Sequence, residues 1–418
     1  MWMTIRSIAS LLSSHGLLLV GNGLVGTLLG LRSRHEGFST EITGMIMAGY
    51  FVGLLLGALY AVRVVAAVGH IRAFAAFASI MSVAVLAHLL IIDPYAWFAL
   101  RVLAGFCMAG MIMVVESWVH ERATNETRGQ ILSLYMITNY LGAGLGQFVL
   151  LAGDPGEFQL FVIASMIYSF ALVPILVTRA SAPRPTSPER MPFPALFRIS
   201  PVGVFVTICG GMINSSVIGM GGVFAKDLGL TIAQVSSFMA ALIMGGMILQ
   251  FPIGRLSDRF DRRTVLLIAS VMTLSLALGV IWATGQSVTV LIFTAAIFGA
   301  VSFTVLPLAS SQVNDLADRD RLVQVSAGLL IAYGIGASIG PIVAAQAMAV
   351  SGPAGLFIFV ASIHATLIVF VIVRILQRRR GVKSKAPFLP QGGLGVSSKK
   401  LYTAALDSAE RVVPEDMQ

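Results

Sequence analysis

Charge is what this sequence has least of. Lys and Arg number 28 and Asp and Glu 19 in 418 residues, 11% of the chain, where soluble domains carry roughly 25%. So few ionisable groups cannot cover a water-facing surface, and a mean hydropathy of +0.88 points to lipid as the solvent. Cysteine is almost missing as well. Cys107 and Cys209 fall in separate apolar runs, which excludes a disulfide framework and a thiolate metal site. His15, His88 and His364 are scattered over three runs with no common spacing, a pattern that fits core or interface packing better than a proton relay. The chain has no G-x-x-x-x-G-K-[ST] loop for ATP, and no H-E-x-x-H, G-x-S-x-G or paired intramembrane aspartates. An ATP-driven pump and an intramembrane enzyme are therefore disfavoured, and no cofactor is implied.

What the chain has instead is twelve apolar runs, at 7–31, 43–68, 71–92, 96–119, 129–152, 157–178, 200–224, 232–253, 264–284, 287–310, 323–349 and 355–376. Each is long enough to cross a bilayer as a helix. Their continuity, without alternation, argues against a membrane barrel. The predicted fold class is an all-α membrane protein with twelve spans. The first run is too long for a signal-peptide core and lacks a small-residue exit, so it is expected to be retained as span 1.

With the N-terminus in the cytoplasm, 24 of the 28 Lys and Arg fall on that side, in loops, tails or the span ends that border them. Only Arg32, Arg34 and Lys226 face the other way, and Arg101 lies at or within span 4. That asymmetry predicts cytoplasmic N- and C-termini. It also accounts for the net charge of +9 without nucleic acid: the basic residues are dispersed over inward loops, where the partner is the lipid bilayer.

Segment 179–199 carries five prolines and four arginines and reads as a cytoplasmic linker between an N-terminal six-helix bundle, 1–178, and a C-terminal one, 200–377. Residues 378–418 open with three arginines and read as a flexible cytoplasmic tail. The two bundles repeat one another. Gly142 and Gly146 of span 5 align with Gly336 and Gly340 of span 11 at an offset of 194, Arg128 with Arg321 at 193, and Gly69 with Asp261 at 192.

The most specific motif is the decapeptide GRLSDRFDRR, Gly254 to Arg263, read as a tight connection between spans 8 and 9. Here glycine allows close approach, arginines face the inner leaflet, and Asp258 supplies a charge that holds or releases a helix end. It resembles the signature loop of major facilitator superfamily transporters. Arg101-Val-Leu-Ala-Gly105 is similar to the family's R-x-x-x-G element, and Gly336-x-x-x-Gly340-Pro341 to its G-x-x-x-G-P bend, while Thr127-Arg128-Gly129 occupies the usual loop position. Val114-Val-Glu-Ser117, Arg128-Gly129 and Gly146-Gln147 also look like the bacterial YcaD-like group. The resemblance implies two pseudo-symmetric six-helix bundles that rock about a midplane site in a bacterial inner membrane. It further implies secondary transport of a small organic solute by a monomer. Departures are visible: the loop after span 2 reads VRVVAAVGHI, with Val62, Ala66 and Ala67 in place of the glycine, aspartate and arginine. A non-transporting receptor or scaffold with the same fold is the alternative that this eroded loop supports.

Glu116 lies one to two turns inside span 4, where a carboxylate costs about 2.5–3.5 kcal/mol at the helix centre and less near the end. Two readings stand. Either Glu116 alternates between protonated and ionised states as the halves rock, making the proton a coupled partner, or it is permanently paired with a loop arginine such as Arg122 or Arg128. Arg101 either receives an anionic group or snorkels to the outer surface. Asn22, Asn139, Gln147 and Asn214 are cavity candidates, with inter-helix hydrogen bonding as the competing role, and Gln250 belongs to the same set. Asn22 and Asn214 gain weight from the family's cavity-lining spans 1, 4, 7 and 10. Tyr135 and Tyr333 add possible aromatic contacts to that cavity.

Asp258, Arg259, Arg262 and Arg263, with Gly254 at their head, form the expected cytoplasmic gate, and Asp315, Asp318 and Asp320 are its candidate partners. Gly142, Gly146, Gly336, Gly340 and Pro341 are packing or hinge positions.

Overall fold

The computed structural model describes residues 2–122, 127–177, 193–317 and 321–377. The thirteen helices among them are α1 (Trp2–His35), α2 (Thr40–Val68), α3 (His70–Leu90), α4 (Pro94–Arg122), α5 (Arg128–Phe148), α6 (Gln159–Leu176), α7 (Phe193–Ile199), α8 (Pro201–Asp227), α9 (Ile232–Arg259), α10 (Arg262–Ala283), α11 (Val288–Asn314), α12 (Leu322–Ser351) and α13 (Gly355–Gln377). All but the short α7 are long and apolar enough to cross a membrane. Spans 1–6 are thus α1–α6, and spans 7–12 are α8–α13.

Two bundles, α1–α6 and α8–α13, repeat the same packing. The pairs α1·α5, α2·α4, α3·α4 and α3·α6 correspond to α8·α12, α9·α11, α10·α11 and α10·α13. Glycine sets the closest crossings. A Cβ on Gly142 would meet the Leu19 Cβ of α1 and one on Gly146 would strike the α1 backbone at Val20, while one on Gly336 or Gly340 would strike α8 at Ile208 and Met212. Bundle meets bundle along α2·α12, α5·α9 and α1·α8. Pro341 sits inside α12, its carbonyl packed against Gly44 of α2.

The turns carry the repeat further. Gly37 and Gly229, 192 residues apart, both adopt positive φ, 76° and 82°, after α1 and α8. The following caps match: Ser39 accepts from the Ile42 amide, and Thr231 forms a capping box with Gln234. Asp93 accepts from the Ala96 amide at 2.8 Å, and Ser287, at an offset of 194, accepts from Val290.

The α2–α3 and α9–α10 connections differ. Gly69 makes the first alone, at φ 86°. Asp261 makes the second at φ −57°, and its carboxylate accepts from the Arg263 and Thr264 amides at 2.8 and 3.2 Å. A side-chain cap thus replaces a glycine turn at the equivalent position.

Two sequence readings change. GRLSDRFDRR is not a loop: Gly254 to Arg259 continue α9, and only Phe260 and Asp261 separate it from α10. Nothing after Gly254 breaks the helix, and an arginine in the last turn complements its dipole. Of the segment read as linker, Phe193–Ile199 forms α7, whose Leu196 is buried with Val204, Val313, Val325 and Leu329 of the C-terminal bundle. Residues 178–192 lie outside the described residues, as do the tail 378–418, Asp318, Asp320 and the side chains of Arg122 and Arg128.

Candidate functional site

The basic end of the bundle is organised by Arg262, at the start of α10. Its side chain is 2% exposed, and Nε donates to Asp315 Oδ2 at 2.7 Å. A terminal nitrogen lies 3.2 Å from Asp258 Oδ1, and another donates to Ser257 Oγ at 3.2 Å. Ser257 in turn donates to the carbonyl of buried Gly254. The two acids are unequal: Asp315 is 3% exposed and Asp258 37%. Arg259 is exposed and Arg263 half-buried, so Arg262 alone carries the described ion pairs of this motif. All these groups belong to α9, α10 and α11, within one bundle.

A small cavity of about 40 Å³ opens where the bundles meet, bounded by α1, α5, α8, α9 and α11. Asn22, Thr27, Asn139 and Gln147 give it a polar wall, and Tyr140 and Phe303 face one another across it at a ring separation of 6.4 Å. Gln147 is committed to structure, because it accepts from Thr27 Oγ1 at 2.6 Å and donates to the Gly23 carbonyl at 2.9 Å. Asn139 donates to the Tyr135 carbonyl one turn back. The polar wall comes from spans 1 and 5, and the cavity as a whole draws on spans 1, 5, 7, 8 and 10 where the family resemblance implied 1, 4, 7 and 10. Asn214 and Tyr333 lie together elsewhere, on α8 and α12.

Glu116 is 1% exposed and accepts a hydrogen bond from the Tyr135 hydroxyl at 2.7 Å. Tyr135 stacks on His15 of α1, with ring centroids 4.6 Å apart and planes inclined by 17°. The Asn139 side chain is the polar neighbour of the His15 imidazole. One acid, one phenol and one imidazole from α4, α5 and α1 therefore form a continuous buried group. His15 lies more than a hundred residues from the other two in sequence, so its spacing alone marks it as an isolated core residue.

Arg101 does not snorkel. It is 4% exposed, and its guanidinium carbon sits 4.4 Å from the Tyr50 ring centroid. Seven residues into α4, it lies about 10 Å along the helix from the end, farther than its side chain reaches.

The opposite end of the molecule holds a pair that loop counting had passed over. Arg34 Nε, at the end of α1, lies 3.2 Å from Asp227 Oδ1, at the end of α8. The pair joins the end of one bundle's first helix to the end of the other's across the bundle interface. Beneath this pair the bundles close on small residues: Gly30 on Val223, Gly222 on Thr27, Gly219 on Met47, Gly44 on Ala345. Arg32 pairs with Glu36 and reaches the Gly156 carbonyl, tying α1 to the α5–α6 connection.

Two repeated six-helix membrane bundles with polar groups gathered along their seam define the class: a polytopic membrane protein built as an internal repeat. The family model described as Major Facilitator Superfamily matches residues 11–243 and 202–407, and the chain belongs to that superfamily. Similar curated proteins include the "Uncharacterized MFS-type transporter YcaD" of Escherichia fergusonii, 28% identical over 365 residues, covering 86% of this chain and 93% of that protein. A Yersinia pestis "Uncharacterized MFS-type transporter" is 29% identical over 369 residues, covering 87% and 94%. Among solved structures, the nucleoside transporter NupG superposes with a TM-score of 0.73 at 13% identity, covering 90% of this chain and 100% of that one. A D-xylose-proton symporter superposes at 0.67 and 14% identity, covering 88% and 97%. These likenesses fix the fold and leave the cargo open.

Proposed function

We propose that this protein moves a small organic solute across the bacterial inner membrane by alternating access, driven by protons through Glu116. The observation that carries the coupling is the buried Glu116 carboxylate held by Tyr135. A carboxylate in a span is costly to keep ionised, and a phenol donor offsets part of that cost only while the charge is present. Protonation therefore weakens the tie between α4 and α5. The helices bearing Tyr135 and His15, α5 and α1, are also those that abut α9 and α8 across the seam. A change in Glu116 is thus one helix away from the surface on which the bundles rock.

In this reading the Arg34–Asp227 end is periplasmic and closed, and the Arg262 end is cytoplasmic, in accord with the distribution of basic residues. The cavity bounded by Asn22 and Tyr140 belongs to the solute path. Ion pairs at the two ends bias the populations of the two states. The protein works as a monomer, each bundle supplying half of the site.

The test is accumulation of solutes from a defined metabolite mixture by proteoliposomes under an imposed pH gradient. Wild type should concentrate at least one small organic solute, or deplete it from the lumen, in response to the gradient. Glu116→Gln should lose that response. Full gradient-driven transport by Glu116→Gln would remove the coupling role.

A further inference from the structure

The Arg101 site contains donors without acceptors. Arg101 Nε is sealed from solvent with no hydrogen-bond partner among the described residues, and so is the Tyr168 hydroxyl of α6. The two groups are electrostatic neighbours, and Tyr50 of α2 neighbours both. No carboxylate pairs with Arg101 among the described residues, whereas Arg32, Arg34 and Arg262 each have one. The Tyr50 ring face is its main compensation, and a cation–π contact does not occupy the N–H directions that lie in the guanidinium plane. Asn22 of α1, which lines the inter-bundle cavity, lies beside Tyr50, and Tyr333 of α12 neighbours Tyr50 from the other bundle. His88 of α3 is a further electrostatic neighbour of Arg101, its Nδ1 2.7 Å from the Ala84 carbonyl.

A buried cation and a phenol that both lack acceptors need a group that is anionic, compact and rich in lone pairs. We propose that Arg101, with Tyr168 and the Asn22–Tyr50 pair, is a subsite for the carboxylate of an organic anion. It is reached from the cavity past Asn22. This assignment rests on the transporter reading and adds the charge class of the cargo to it. The guanidinium accepts the carboxylate edge-on, Tyr168 donates to a carboxylate oxygen, and Tyr50 keeps the cation oriented when the site is empty. Because Tyr333 approaches from the opposite bundle, an occupied site places the cargo's remainder against both halves.

Equilibrium binding separates this proposal from the transport reading. The full chain in lipid nanodiscs would be titrated with benzoate, with its neutral isostere benzamide and with inorganic phosphate, and followed by intrinsic fluorescence and thermal unfolding. Benzoate should bind and raise the unfolding midpoint, and benzamide should bind at least ten-fold more weakly. Tyr168→Phe, which keeps the ring and loses only the hydroxyl, should weaken benzoate roughly ten- to hundred-fold, as expected for a lost hydrogen bond to a charged group. Arg101→Gln should abolish binding, and Arg101→Lys should restore part of it. Stronger binding of phosphate than benzoate would replace the carboxylate by a phosphoryl group and overturn the assignment as stated. Equal binding of benzoate and benzamide, no benzoate binding, or Tyr168→Phe indistinguishable from wild type would also overturn it. Gradient-driven uptake of a neutral solute, alongside any of those results, would leave transport standing and remove the anion subsite alone.

Discussion

Asp227→Asn should loosen the closed end of the transporter by a calculable amount. The Arg34 and Asp227 side chains are 34% and 21% exposed, so water screens their attraction, and about 0.2–1 kcal/mol is the appropriate range for such a pair. That corresponds to a shift of roughly 1.4- to 5-fold in the ratio of open to closed populations, because RT is about 0.6 kcal/mol. The asparagine keeps the shape and removes only the charge. Arg34→Ala is the less clean change, since Arg34 also donates to the Phe38 carbonyl at 3.2 Å. Exchanging the two residues, Arg34→Asp with Asp227→Arg, is a sharper control: it keeps one charge of each sign across the bundle interface and should restore most of the closed population.

Spin labels on cysteines replacing Glu41 and Ala233 would read the effect. Both are exposed first-turn residues, of α2 and α9, and they lie 192 apart in the repeat. Double electron–electron resonance should give a short and a long separation, with the long fraction increased in Asp227→Asn and reduced again in the exchanged pair. An unchanged distribution in Asp227→Asn, or an exchanged pair more open than either single variant, would refute the assignment of this ion pair as a latch.

At the other end, the unequal burial of the two acids orders three variants. Arg262→Ala and Asp315→Asn each break an ion pair whose side chains are 2–3% exposed and should cost about 3–5 kcal/mol, whereas Asp258→Asn, at 37% exposure, should cost about 1 kcal/mol or less; denaturant or thermal unfolding in detergent decides. Tyr135→Phe should leave the fold intact and weaken the dependence of transport on the pH gradient by about 1.5–3 kcal/mol, a change visible in the solute gradient sustained at a fixed pH difference. Gly336→Ala should lower stability by about 1–3 kcal/mol, because the added methyl meets the Ile208 carbonyl, while Gly26→Ala, which meets nothing within 4 Å, should be near neutral for melting and act only on the cavity it lines.

The spans were legible because lipid imposes a length and a composition on every one of them, and the observed helices begin and end within a few residues of the apolar runs. The exception is α9, which extends to Arg259 where the run stopped at 253, because charge ended the hydropathy signal while helical structure continued. The Arg262–Asp315 pair was within reach of the sequence, since the motif supplied the cation and the end of span 10 the acid. The Arg34–Asp227 latch has no such signal: the local offset of 192 aligns Arg34 with Lys226 and His35 with Asp227, and only the approach of α1 to α8 brings the pair together. His15 could not be placed by spacing at all. Its partner Tyr135 is 120 positions away, and only the α1·α5 crossing, set by Gly142 and Gly146, brings the two rings together. Of the two readings of Arg101, the snorkelling one fails because hydropathy places a residue by its distance from a span end, and α4 begins at Pro94, ahead of the apolar run's start at 96.

Rocking of the two bundles is the centre of this account, and a reversible lock tests it most directly. Cysteines replacing Arg34 and Asp227, in a chain whose buried Cys107 and Cys209 are changed to serine, would be bridged by a reducible bifunctional thiol reagent in proteoliposomes. Solute transport should stop on bridging and return when the bridge is reduced. Undiminished transport by fully bridged protein would contradict alternating access through that end.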